Sequence, residues 1–167
     1  MVEIAVQQVI QEMLEQRGFE VEFQEDTIMG RKGTLSVIVF FSITPKVNNE
    51  RLQEYITKMR VANLTHAIVV YNESVTPTAQ KIVEELEGLR IELFCRKALR
   101  YNITKHRLVP KHTLLSRTEM KAFKEEFGVK VPVLLYNDPV ARFYDFQRGD
   151  VVRVERPNGF ICYRIVK

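Results

Sequence analysis

The side chains of this 167-residue chain that could carry acid–base, nucleophilic or metal chemistry are three histidines, two cysteines and 21 carboxylates. Their spacing assembles little of it. A metal-dependent nuclease clusters carboxylates around divalent cations, usually an Asp leading into one strand and an acid two residues before a Lys on the next. The best candidate strand, Val37-Ile38-Val39-Phe40-Phe41-Ser42-Ile43, contains no carboxylate, which leaves Asp26 as an unpaired remnant of such a site. His106 and His112 stand six apart with no Cys or His pair in the spacing of structural zinc, so packed or surface imidazoles at the junction of two domains are expected. No Gly-rich phosphate loop, nucleophile elbow or Ser/His/Asp order occurs. The expectation is therefore no catalytic residue, no metal, no cofactor and no small-molecule substrate.

Charge says more. Between Arg96 and Lys124 nine Lys or Arg residues face one acid, Glu119, so this stretch is +8 in a chain whose total is +4, and the remainder is −4. Such a stretch raises affinity for a phosphate backbone or an acidic partner surface, although a solvated basic face accounts for most of these side chains taken singly. With 46% hydrophobic residues the chain can bury a core. No apolar run approaches the roughly 18 residues of a membrane span, and the N-terminus lacks the pattern of a secretory signal. Cys95 and Cys162, far apart, suit buried thiols in a reducing compartment. An intracellular protein without a membrane partner is expected.

The elements that must hold these residues follow from periodicity. Val2, Ala5, Val6, Val9, Ile10 and Met13 recur at helical spacing and predict an amphipathic helix ending before Gly18. Phe19 to Phe23 alternates as a half-exposed strand, Gly30 to Gly33 marks a turn, and Leu35 to Phe41 is a buried strand. Leu52, Tyr55, Ile56 and Met59 form a second helical stripe, His66 to Tyr71 a strand, Ala79, Ile82, Val83 and Leu86 a third helix, and Leu89 to Phe94 a strand. Helices alternating with apolar strands predict a layered α/β domain in which at least one pair of strands is joined by a helical crossover and runs parallel, bounded near Arg100. Thr76 or Ser74 can cap the third helix ahead of Pro77.

Beyond the boundary, Ser116-Arg117-Thr118-Glu119 is a capping box opening a helix with Met120, Phe123 and Phe127 inward and Gly128 as its stop. A short strand lies near Thr113 and another over Pro132 to Tyr136. Asp138-Pro139 starts a short helix, because Asp caps the first-turn amides and Pro at the first position loses no hydrogen bond. Arg148-Gly149-Asp150 turns the chain into Val151 to Glu155, and Pro157-Asn158-Gly159 turns it into Phe160 to Val166, a terminal hairpin. Val140, Phe143, Tyr144 and Phe146 supply apolar contacts there, some to their own small core. Phe160 and Tyr163 stand on a final strand whose edge can pair with a strand of another protein.

The order D-P-V-A-R-F-Y (Asp138 onward), R-G-D-V-V-R-V (Arg148 onward) and Y-R-I-V (Tyr163 onward) resembles the C-terminal signature of a small shared subunit of cellular RNA polymerases. That family comprises the fifth-largest subunit of the eukaryotic nuclear enzymes and its smaller archaeal counterpart. Asn102 to His112 is similar to the family's N-I-T-x-H-x-L-V-P-x-H segment. Met59-Arg60, Asn63 to Val70 and Thr76 to Ala79 resemble the N-terminal domain that only the eukaryotic form carries.

The resemblance implies an α/β (α+β) fold: a layered, nuclease-like N-terminal jaw domain over residues 1–100 and a small mixed assembly domain over 101–167. It implies a noncatalytic subunit of a DNA-directed RNA polymerase, docked on the largest subunit, beside neighbouring small subunits, and forming part of the jaw around downstream duplex DNA. The residues it puts at the partner surface are Asp138, Pro139, Val140, Arg142, Phe143, Arg148, Tyr163 and Arg164; those it puts near DNA are Thr76, Pro77, Thr78 and Ala79. The first domain is shorter than the family's and the last hairpin turn is trimmed, which suggests a polymerase of a large DNA virus. The location is then nuclear for a cellular protein, or host cytoplasm, nucleus and virion for a viral one. The alternatives are a small metal-dependent nuclease and a free-standing DNA-binding adaptor.

Overall fold

The computed structural model describes residues 4–128 and 130–167, in a mixed α/β (α+β) fold. The chain divides into two compact units, Met1–Tyr101 and Asn102–Lys167. In the first unit the order is α1 (Ile4–Gln16), β1 (Glu20–Phe23), β2 (Thr27–Lys32), β3 (Leu35–Phe41), β4 (Lys46–Val47), α2 (Asn49–Val61), β5 (His66–Tyr71), β6 (Ser74–Val75), α3 (Pro77–Glu85) and β7 (Arg90–Cys95). A 3-10 turn over Arg96–Leu99 follows.

Five strands form one sheet in the order β1-β2-β3-β5-β7. The hairpins β1-β2 and β2-β3 are antiparallel, whereas β3, β5 and β7 run parallel because α2 and α3 carry the chain back between them. Strand alternation splits the apolar side chains between the two faces. Ile38, Phe40, Ala67, Val69 and Ile91 pack with Leu52, Tyr55, Ile56 and Met59 of α2 and with Ala79, Ile82 and Val83 of α3. Val37, Val39, Ile68 and Val70 point the other way and are buried, as are Val6, Val9, Ile10, Met13 and Leu14 of α1. The result is a sheet between helical layers, with two parallel crossovers where the alternation predicted at least one.

Two expectations fail in this unit. Gly30 to Gly33 is not one turn: Gly30 lies inside β2, a strand the pattern missed, and the turn falls at Gly33. A Cβ at position 30 would sit 2.8 Å from Val37 Cγ1 and 3.3 Å from Phe19 Cβ, so glycine is there for close approach rather than for a bend. On α1, Ala5 is exposed and Leu14 takes the buried place instead. Val2 lies outside the described residues.

The second unit contains a 3-10 turn (Ile103–Lys105), β8 (Lys111–Leu114), α4 (Arg117–Phe127), β9 (Val133–Leu134), α5 (Pro139–Tyr144), β10 (Val151–Glu155) and β11 (Ile161–Val166). Its sheet has the order β8-β10-β11-β9, with only β9 parallel to its neighbour. The Ser116 capping box is complete: Glu119 N–H donates to Ser116 Oγ, and Ser116 N–H donates to Glu119 Oε2. This holds the Glu119 carboxyl below its usual range. The left-handed side of the φ/ψ map at Gly128, φ 69°, stops α4 as expected. Phe127, expected inward, is 58% exposed, because Phe123 fills the inner position and Phe127 only leans on its ring at 5.0 Å. The strand expected over Pro132 to Tyr136 shortens to Val133–Leu134. The final strand is not a sheet edge along its whole length, since β9 covers its last residues.

Candidate assembly surface

The D-P start of α5 is built as its chemistry requires. Asp138 Oδ1 accepts from Val140 N–H at 2.8 Å and Pro139 occupies the first turn, where a missing donor costs nothing. At the far end of this short helix Asp145 enters the left-handed region at φ 61°, and its N–H closes the helix on Ala141 and Arg142 carbonyls. Gln147 then ties Asp145 to Asp150: its amide nitrogen donates to Asp145 Oδ1 and its backbone N–H donates to Asp150 Oδ2. The turn into β10 is thus fixed by side chains, not by packing alone.

The residues expected at a partner surface separate into two groups. Val140 and Phe143 are 7% and 3% exposed, and with Ala141 and Phe146 they are buried in their own unit. Asp138, Pro139, Arg142, Arg148, Tyr163 and Arg164 retain exposed or half-buried side chains. Arg148 lies over the Tyr136 ring at 4.9 Å, which restrains an otherwise exposed guanidinium. Arg164 Nη1 donates to the Val133 carbonyl at 3.4 Å. Tyr163 packs against the Phe123 ring of α4 at 4.9 Å. Cys162, one residue earlier, points to the opposite face and packs with Leu134, Ala141, Phe146 and Val152. The expected partner residues therefore lie on both faces of the sheet.

His112 stands on β8 opposite Val154, and its Nδ1 is 2.8 Å from the Pro110 carbonyl. Burial pushes its imidazole below the ordinary value; the Pro110 carbonyl and Asp138 oppose that shift and Arg164 adds to it. His106 is exposed. Among the described residues no group of three or more His, Cys, Asp or Glu could hold a metal ion, and no helix is long and apolar enough to cross a membrane. Asp26 is exposed in the turn between β1 and β2.

Of the residues expected near DNA, Thr76 is the cap of α3, its Oγ1 accepting from Ala79 N–H at 3.3 Å. Pro77 and Thr78 are exposed, whereas Ala79 is fully buried in the α2–α3 core. A two-residue parallel ladder, β4 with β6, fixes the entry to this helix just beyond the carboxyl ends of β3 and β5.

One constellation has almost no signature in the sequence. Arg17, at the end of α1, makes a two-pronged ion pair with Glu92 of β7, Nη1 to Oε1 at 2.8 Å and Nη2 to Oε2 at 3.0 Å. His66 Nε2, on β5, is 2.8 Å from the same Oε1. Burial alone would raise the Glu92 pKa, but the His66 hydrogen bond and the Arg17 charge outweigh it and hold the carboxyl at about 2. The one signal for it is a lone acid in an apolar strand, Ile91-Glu92-Leu93.

Charge sorts by unit. Residues 102–167 carry 13 Lys or Arg against seven acids, a net of +6, and residues 1–101 carry 12 against 14, a net of −2.

Comparison with known proteins agrees with this layout. The family described as RNA polymerase Rpb5, C-terminal domain, matches residues 101–166. The Dictyostelium discoideum protein named DNA-directed RNA polymerases I, II, and III subunit rpabc1 is 30% identical over 188 residues, covering 97% of this chain and 95% of that protein. A putative DNA-directed RNA polymerase subunit 454R of Invertebrate iridescent virus 6 is 28% identical, covering 96% of this chain and 97% of that protein. The Caenorhabditis briggsae subunit RPABC1 is 30% identical over 138 residues, covering 78% of this chain and 65% of that protein. A likeness that runs through both compact units, with the terminal unit matched by its own family description, places this chain in the Rpb5 family of RNA polymerase subunits.

Proposed function

We propose that this chain is a noncatalytic subunit of a DNA-directed RNA polymerase, docked through its C-terminal unit on the largest subunit while its N-terminal unit forms part of the jaw beside downstream DNA. The observation that carries the reading is the likeness to polymerase subunits across 97% of the chain. The +6 charge of the second unit supports an acidic docking partner, and the ring-held Arg148 supplies a restrained cation for it. On α5 the docking groups are Asp138, Pro139 and Arg142, with the buried Val140 and Phe143 holding the helix in place beneath them. In the first unit, exposed Pro77 and Thr78 stand at the start of a helix with no acid in its first turn, a start that tolerates a nearby phosphate. The subunit works where its polymerase works: the nucleus for a cellular enzyme, host cell and virion for a viral one.

The test is purification from the native source with identification of the associated chains, comparing wild type with Arg142→Glu/Arg148→Glu. The largest polymerase subunit should accompany wild type and be lost from the folded double variant. Recovery of the chain free of polymerase subunits would overturn the assignment, and retention of the double variant would overturn the placement of the interface.

A further inference from the structure

The outer edge of β11 is half covered, and the sequence contains the reason. Along this strand the even residues face β10: Val166 N–H donates to Asp150, and the register pairs Arg164 with Val152 and Cys162 with Val154. The odd residues face outward. Ile165 N–H donates to the Pro132 carbonyl and Lys167 N–H to the Leu134 carbonyl, the short parallel ladder with β9. The next rung would need a donor at position 132 for the Tyr163 carbonyl, and proline has none. The ladder therefore stops at Pro132. Among the described residues, the outward N–H and C=O groups of Tyr163 and Ile161 have no strand partner.

The surroundings of this open edge indicate what it would accept. Phe160 is 57% exposed, Ile161 41% and Val133 39%, so an incoming chain would meet apolar side chains flanking unpaired backbone. Arg156, beside Phe160 at the start of the strand, is exposed and Arg164 is half-buried along it, within a unit of net charge +6.

We infer that an extended segment of the largest polymerase subunit, apolar at alternate positions and flanked by acids, adds as a strand to β11 at Ile161 and Tyr163. Backbone hydrogen bonds supply the fit and the flanking bases select for acidic neighbours. This inference rests on the proposed docking of the second unit and specifies its geometry.

Ile161→Pro tests it. The Ile161 N–H points away from β10, so proline there removes an outward donor and leaves the β10–β11 bonds in place. The variant should keep the wild-type melting profile and yet be recovered with the polymerase at least about tenfold less, the change expected from about 1.4 kcal/mol of lost binding. Hydrogen exchange of the assembled complex supplies a readout independent of folding: the Ile161 and Tyr163 amides should exchange fast in the free chain and slowly in the complex. If these amides stay fast in a complex that Arg142→Glu/Arg148→Glu disrupts, the docking surface stands and strand addition is wrong. If neither variant releases the chain, the docking assignment itself fails. Should Ile161→Pro unfold the chain, the exchange result alone decides.

Discussion

Replacing Glu92 by Gln tests whether the Arg17–Glu92–His66 cluster holds the first unit together. The side chains of Arg17 and Glu92 are 3% and 11% exposed, so the substitution takes the Glu92 carboxylate from a buried guanidinium. Two routes give the magnitude. Holding the carboxyl from 4.5 down to about 2, at about 1.4 kcal/mol for each tenfold in proton affinity, corresponds to on the order of 3 kcal/mol. Removal of one partner from a buried ion pair costs about 3–5 kcal/mol by a separate argument. The lower figure is the safer expectation. The pH dependence follows from the direction: a carboxyl depressed in the folded state stabilises fully above about 4.5, and that contribution is lost as pH falls toward 2. Denaturant melts of wild type and Glu92→Gln should thus differ by about 3 kcal/mol at pH 7, by about 1 kcal/mol at pH 3, and converge below. A gap under about 1 kcal/mol at pH 7, or one of equal size at pH 3, would refute this account of the cluster. Replacing Arg17 by Met and Glu92 by Leu together should recover most of the loss, since both buried charges of the pair are then removed.

Three shorter expectations concern the scaffold and the nuclease alternative. Gly30→Ala forces a Cβ to within 2.8 Å of the fully buried Val37 and should cost about 1–3 kcal/mol in a thermal or denaturant melt. Ser116→Ala removes the acceptor of the Glu119 amide and should cost about 1 kcal/mol, with the loss confined to the second unit in hydrogen exchange. Purified chain with Mg²⁺ or Mn²⁺ should leave duplex DNA intact; cleavage that disappears in Asp26→Asn would favour the nuclease reading instead.

Where side-chain period alone decides structure, the sequence was readable. The stripe Leu52, Tyr55, Ile56, Met59 is the buried face of α2, and His66 to Tyr71 and Leu35 to Phe41 are β5 and β3 without adjustment. Burial on one stripe or one face is a local property of the chain. What failed depends on residues distant in sequence. Gly30 looks like a turn until Val37 and Phe19 are placed against it. Glu92 drew no reading from the sequence, because its partner Arg17 lies 75 residues away. At the assembly surface, the D-P-V-A-R-F-Y order located α5 but could not say which side chains its helical turn directs inward. Val140 and Phe143 go to the core, leaving the polar members of the same motif outside. The same limit applies at α3, where Thr76 caps and Ala79 is buried, so that of four adjacent candidates Pro77 and Thr78 are the exposed ones.

The charge division makes the DNA reading testable in a way that separates the two units. The first unit is net −2, and Glu84, Glu85 and Glu87 stand at the far end of α3 and just beyond it, so bulk electrostatics repel it from phosphate. On the proposed reading the start of α3 approaches the duplex, and a single helix start contributes little affinity unless neighbouring subunits hold it there. The second unit, at +6, should account for whatever duplex binding the isolated chain shows, with affinity falling steeply as salt rises. Neutralising Lys105, Arg107 and Lys111 should therefore abolish binding by the free chain, whereas Thr78→Glu should leave it unchanged. Within the assembled polymerase the roles reverse: a photo-crosslinker at Thr78 should capture downstream DNA, and the neutralised residues of the second unit should matter little. A free chain whose DNA binding depends on Thr78 and not on the basic residues would place the DNA contact in the first unit by its own affinity. The jaw would then bind DNA unaided, and positioning by the complex would be unnecessary.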